Sequence, residues 1–122
     1  MTESREVCFL IGHGDTILWG DASDSPAALP DSRARWEAIW RHRDELSAIV
    51  HSHPVGPAAF SAEDLSTMQA LDSALGKPMR YCVVAPRITI SRRDATTETV
   101  SPEPWWAGLL RLASGMPQKK ED

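Results

Sequence analysis

Apolar positions in this chain come in short runs separated by polar, turn-forming segments, and the period of each run indicates its element. Residues 6–11 (Glu-Val-Cys-Phe-Leu-Ile) are apolar after the first position and are closed by Gly12-His13-Gly14-Asp15, a strand followed by a turn. Thr16-Ile17-Leu18-Trp19 reads as a second strand, so the two predict a hairpin. Residues 20–30, rich in Asp, Ser, Ala and Pro, read as a loop. Asp31 or Ser32 can cap a helix that runs to about Leu46, with Trp36, Ile39, Trp40 and Arg43 on one face. Core packing is the expectation for both tryptophans, and a peptide-binding role is the alternative.

Residues 47–52 read as a strand, on which Ile49, His51 and His53 point one way and Val50 and Ser52 the other. Pro54 has no N–H to donate and begins a loop. Ser61 starts a second helix with Leu65, Met68, Leu71 or Asp72, and Leu75 on one stripe, ended by Gly76 and Pro78. Residues 79–85 are an apolar run of strand type. Residues 87–91 form another, with Ile88 and Ile90 on one face, and residues 96–100 a sixth. Residues 104–113 predict a closing helix, where Trp105 and Trp106 are expected in the core, with an exposed partner patch as the alternative. A polar tail spans residues 116–122. This order predicts a mixed α/β (α+β) layer fold in a single domain over residues 1–115.

Composition narrows the function. A chain of 122 residues with 42% hydrophobic and 25% charged residues suits one modest core rather than disorder. The formal charge of −4, with no basic cluster longer than Arg92-Arg93 or Lys119-Lys120, argues against a nucleic-acid partner. No apolar run approaches the ~20 residues that cross a bilayer, and no signal peptide opens the chain, so a soluble cytoplasmic protein is expected. Cys8 and Cys82 lie in separate apolar segments and read as buried free thiols rather than a disulfide.

The chemistry concentrates in residues 51–64, which begin His51-Ser52-His53-Pro54 and end Ser61-Ala62-Glu63-Asp64. On a strand, residues i and i+2 project from the same face roughly 6.5–7 Å apart. Two imidazoles at that spacing can tilt onto one ion, whereas a helix would turn them apart. Asp64 supplies a carboxylate, and two histidines with one acid is a hydrolytic zinc set that leaves a position for water. Ser61 adds a polar group beside it. Ser61 and Asp64 also fit a capping box at a helix start, and both readings can hold in part.

These spacings resemble the zinc signature of the JAMM (MPN+, Mov34/JAB) metallopeptidases: His-Ser/Thr-His-Pro and then Ser-x-x-Asp. Here seven residues, 54–60, separate His53 from Ser61, and every signature position matches. The resemblance covers about two-thirds of the chain. It implies a cytidine-deaminase-like JAB/MPN sheet flanked by helices, Zn²⁺ as cofactor, and hydrolysis of peptide or isopeptide bonds. The implied substrate is a protein or peptide, with bonds next to ubiquitin-like or sulfur-carrier proteins among those the resemblance suggests. The family also uses a glutamate on an early strand as general base. Glu6 is the first candidate and Glu3 the second, although fewer residues precede Glu6 than is usual in the family. The implied assignment is therefore His51, His53 and Asp64 on zinc, with Glu6 and Ser61 catalytic. Three alternatives stand beside it: a RadC-like member, a noncatalytic MPN-type interaction module, and a structural zinc site completed by Cys8 and Cys82.

Overall fold

The computed structural model describes residues 4–29 and 32–116. Glu3, Asp31 and residues 117–122 of the expected tail lie outside the described residues. The described elements are β1 (Val7–Gly12), a short 3₁₀ turn (His13–Asp15), β2 (Thr16–Ala22), α1 (Arg33–Arg41), β3 (Leu46–Ser52), α2 (Ala62–Leu75), β4 (Arg80–Val84), β5 (Thr89–Arg93), β6 (Thr96–Thr99) and α3 (Trp105–Ser114). They form one six-stranded sheet in the order β2-β1-β3-β4-β5-β6. β3 and β4 are parallel and every other neighbouring pair is antiparallel. The mixed α/β architecture expected from the sequence is thus present.

Strand alternation sorts side chains to two cores. Cys8, Leu10, Ile49 and Tyr81 meet Ala38 and Ile39 of α1 and Met68 and Leu71 of α2 on one face. Val7, Ile11, Ala48, Val50, Cys82 and Val84 meet Trp106, Ala107 and Leu110 of α3 on the other. α1 and α2 therefore cover the face to which Ile49 and His51 point, and α3 the face to which Val50 and Ser52 point.

Several boundaries differ from expectation. β2 runs on through Gly20, Asp21 and Ala22, which pair with Phe9, Cys8 and Val7. Gly20 belongs to the strand because a Cβ there would sit 2.9 Å from the Phe9 ring. Ser32 caps α1 by accepting from Arg35 N–H, but the helix stops at Arg41 with His42 as C-cap, since Leu46 is already paired with Gly12 in the sheet. Ile88 lies in the β4–β5 turn, 36% exposed, while Ile90 is buried.

The packing face of α1 is also rotated. Ala38 and Ile39 are its buried residues, whereas Trp36 and Trp40 are 37% and 55% exposed. Arg35 explains the rotation. Its guanidinium makes two hydrogen bonds to the Asp21 carboxylate, at 2.9 and 3.2 Å, and so fixes the neighbouring side of the helix against β2. Trp40 is left outside, with the Arg43 guanidinium 4.2 Å from its ring centroid. On α3, Trp106 is 1% exposed as expected, but Trp105 is 59% exposed.

Candidate metal centre

The site forms where β3 ends. His51 is the penultimate residue of β3, and its neighbour Ser52 still pairs with Val84 of β4. His53 extends that parallel pairing through one more bond, from its N–H to Val84 O, at 2.9 Å. Pro54 follows and ends the ladder for want of an N–H. The expected same-face placement is present: the two Nε2 atoms are 3.1 Å apart and the rings meet edge to face.

The N-terminus of α2 delivers the third group. Ser61 and Asp64 form a reciprocal capping box: Ser61 N–H donates to Asp64 Oδ2 at 2.8 Å, and Asp64 N–H donates to Ser61 Oγ at 3.0 Å. The same Oδ2 lies 3.5 Å from His51 Nε2 and 3.6 Å from His53 Nε2. The capping box is therefore present, and it is what aims this carboxylate at the two histidines. Since Ser61 Oγ accepts from Asp64, its own proton remains available to donate.

Glu6 approaches from β1. A carboxylate oxygen of Glu6 and one nitrogen from each of His51 and His53 all lie within 4.8 Å of one another. The backbone around Glu6 is held on both sides. Arg5 N–H bonds Ser114 O, Glu6 N–H bonds Ser25 O, and Ser23 N–H bonds Glu6 O, each at 2.9 Å. Val7 N–H then donates to Ser52 Oγ at 2.9 Å.

Ser52 had no role in the sequence reading beyond matching the signature. It points away from the histidines, is fully buried, and lies 2.6 Å from Ser114 Oγ, which in turn bonds Leu110 O at 2.7 Å. Ser114 has one proton and a carbonyl can only accept, so the chain runs Val7 N–H to Ser52, Ser52 to Ser114, and Ser114 to Leu110. The β1–β3 ladder ends at Cys8 opposite His51. Beyond it the Ser52 hydroxyl replaces a backbone partner and keeps Glu6 beside the histidines. The signal was legible in principle, since strand alternation puts position 52 in the opposite core.

The electrostatics of the site are uneven. Burial, chiefly, pushes the Glu6 carboxyl from 4.5 up to about 7; His51 opposes that and Asp64 adds to it. Burial would also raise Asp64. The hydrogen bond and charge of His51, with the Ser61 backbone and hydroxyl, outweigh it and hold Asp64 down at about 2. Burial first, and then His51, push His53 below the usual imidazole range, so it is neutral at pH 7. Its Nδ1 lies 3.3 Å from Pro57 O. A proton donated there leaves the Nε2 lone pair facing Asp64 and His51, the tautomer a metal ligand needs.

The three facing atoms fit a metal. Ligands at ~2.0–2.1 Å around a tetrahedral ion stand about 3.3–3.4 Å from one another, and the His51–His53–Asp64 triangle has edges of 3.1, 3.5 and 3.6 Å. Two imidazole nitrogens and a carboxylate oxygen converge there, a donor set of the kind a divalent cation takes. The cysteines do not join this set. Cys8 and Cys82 are both buried free thiols in opposite cores, and burial, foremost, raises them to about 12 and about 11. They neither bridge each other nor share an ion.

The Glu6 value has a consequence for stability. A carboxyl whose folded pKa lies above its unfolded one stabilises the fold below the unfolded value, and that contribution is lost as pH rises through the folded value. Metal-free protein is therefore expected to lose roughly 3 kcal/mol between about pH 4.5 and about 7 on account of Glu6. Urea unfolding of chelator-treated protein at pH 5 and pH 8 measures this. Glu6→Gln should remove most of the difference, and an unchanged pH dependence in the variant would show the charge to be well solvated.

These residues open on a cleft of about 730 Å³. No helix among the described residues is long and apolar enough to cross a membrane. Compared with known families, residues 3–103 match the model described as prokaryotic homologs of the JAB domain, a span that includes Glu6, His51, His53, Ser61 and Asp64. No curated protein matches the chain significantly.

Proposed function

The chain belongs to the family of prokaryotic homologs of the JAB domain, and from that premise we propose that it is a zinc-dependent hydrolase of peptide or isopeptide bonds. One observation carries the reading: His51 Nε2, His53 Nε2 and Asp64 Oδ2 converge with edges of 3.1–3.6 Å while a buried carboxylate, Glu6, stands beside them. His51, His53 and Asp64 would hold the zinc. Bound there, the ion supplies a Lewis acid that acidifies water and polarises a carbonyl.

The remaining steps belong to the chain. Glu6 takes the proton of the attacking water and passes it to the leaving amine, a role suited to a carboxylate beside the two histidines. The Ser61 hydroxyl, oriented by the Asp64 N–H, donates to the developing oxyanion. Ser52 and Pro57 set the positions of Glu6 and His53. The substrate class is a protein or peptide, with ubiquitin-like or sulfur-carrier fusions the first to try.

The test is hydrolysis of such fusions, and of a mixed peptide pool, by zinc-loaded protein. The proposal expects cleavage that stops on chelation and returns with zinc. Absence of cleavage throughout would favour a noncatalytic interaction module of the same family. That second reading has its own support in α3, whose outer face exposes Trp105, Leu109 and Leu112 at 59%, 39% and 63%.

A further inference from the structure

The cleft that holds the metal centre is larger than its chemistry requires. Besides the site residues it is lined by Leu29, Trp36 and Ile39 from the α1 side, and by Phe60, Met68 and Leu71 from the α2 side. The only other charged side chains among the described lining residues are Arg35 and Glu63. Arg35 is committed to Asp21 through two hydrogen bonds. This part of the cleft therefore offers apolar surface and no unpaired cation.

Trp36 is the informative member. Packing of α1 through Arg35, Ala38 and Ile39 leaves its indole 37% exposed on the cleft. Trp40, one turn further on, is 55% exposed but does not line the cleft, and stacks with Arg43 instead. Mostly apolar pockets of 300–1,000 Å³ with a few polar groups are the usual form of ligand sites. Here the polar groups are those of the metal centre, with Glu63, Ser66, Thr67 and the paired Arg35 beside them.

We propose that Trp36, with the partly buried Leu29 and Phe60 and backed by the core residues Ile39 and Met68, forms a subsite for a large apolar side chain flanking the bond presented to the metal centre. The occupant is a segment of the substrate, because anything that reaches His51, His53 and Asp64 shares this cleft with them. The inference rests on the hydrolase reading and adds a substrate preference for leucine- or phenylalanine-sized residues next to the cleaved bond.

The test is calorimetric titration of zinc-loaded protein with small hydroxamates. One pair compares N-acetyl-leucine hydroxamate with its glycine parent, and a second carries the isobutyl group on the other side of the zinc-binding group. In at least one pair the isobutyl compound should bind about tenfold or more tightly than its parent, the usual worth of burying a leucine-sized group. Trp36→Ala should erase most of that advantage, while Trp40→Ala should keep it. Equal binding by parent and isobutyl compounds in both pairs, on protein that holds zinc, would overturn the subsite and leave the metal centre standing. So would an advantage that survives Trp36→Ala. Protein that takes up no zinc, by elemental analysis, would overturn the hydrolase reading and the subsite with it.

Discussion

Glu6→Gln is expected to retain zinc at the wild-type level and to lose hydrolysis by about 10²–10⁴-fold, the usual contribution of a positioned acid–base group. The His51–His53–Asp64 triangle matches tetrahedral edges, and Glu6 lies beside it, within 4.8 Å of a nitrogen of each histidine. With Glu6 as base rather than ligand, the amide of glutamine can fill its place without accepting a proton. Urea unfolding separates this from fold loss, since the metal-free variant should be at least as stable as the wild type at pH 8. A fall in zinc affinity in this variant would make Glu6 a ligand instead. Unchanged turnover would exclude it as the base.

Asp64→Ala should have the second large effect, on metal affinity. Even groups that only support a ligand are worth about 10–100-fold in affinity, so loss of a direct carboxylate should exceed a hundredfold. The same change breaks the capping box, which costs about 1 kcal/mol of stability. Asp64→Asn separates the two. It keeps an oxygen for the Ser61 N–H and loses the charge that faces the histidines, so stability should recover while zinc affinity stays low. Competition against a chromophoric chelator gives the affinities. Tight zinc binding by Asp64→Ala would remove this residue from the ligand set.

How much of this was legible in the sequence depends on whether the deciding contacts are local. Residues 51–64 carry their information locally: strand period places the histidines on one face, a proline ends the strand, and Ser-x-x-Asp begins a helix. Each rule acts over a few residues, so the three facing groups could be named before any tertiary contact was known. The hairpin, β3 and α2 were legible for the same reason. The face of α1 was not. Helical period alone put Trp36 and Trp40 inward, but the Arg35–Asp21 pair spans two elements and turned both outward. The extension of β2 to Ala22 depends on Gly20 receiving the Phe9 ring, which no local pattern reports. Ser52 shows the intermediate case. Its face was readable, while its partners Val7 and Ser114 come from the far ends of the described chain.

Zinc content per chain of purified protein, measured by elemental analysis beside His53→Ala, tests the central claim most directly. The account predicts about one zinc per chain in the wild type and its loss in the variant, because His53 contributes two edges of the triangle. No zinc in the wild type after reconstitution, or equal zinc in the variant, would contradict it.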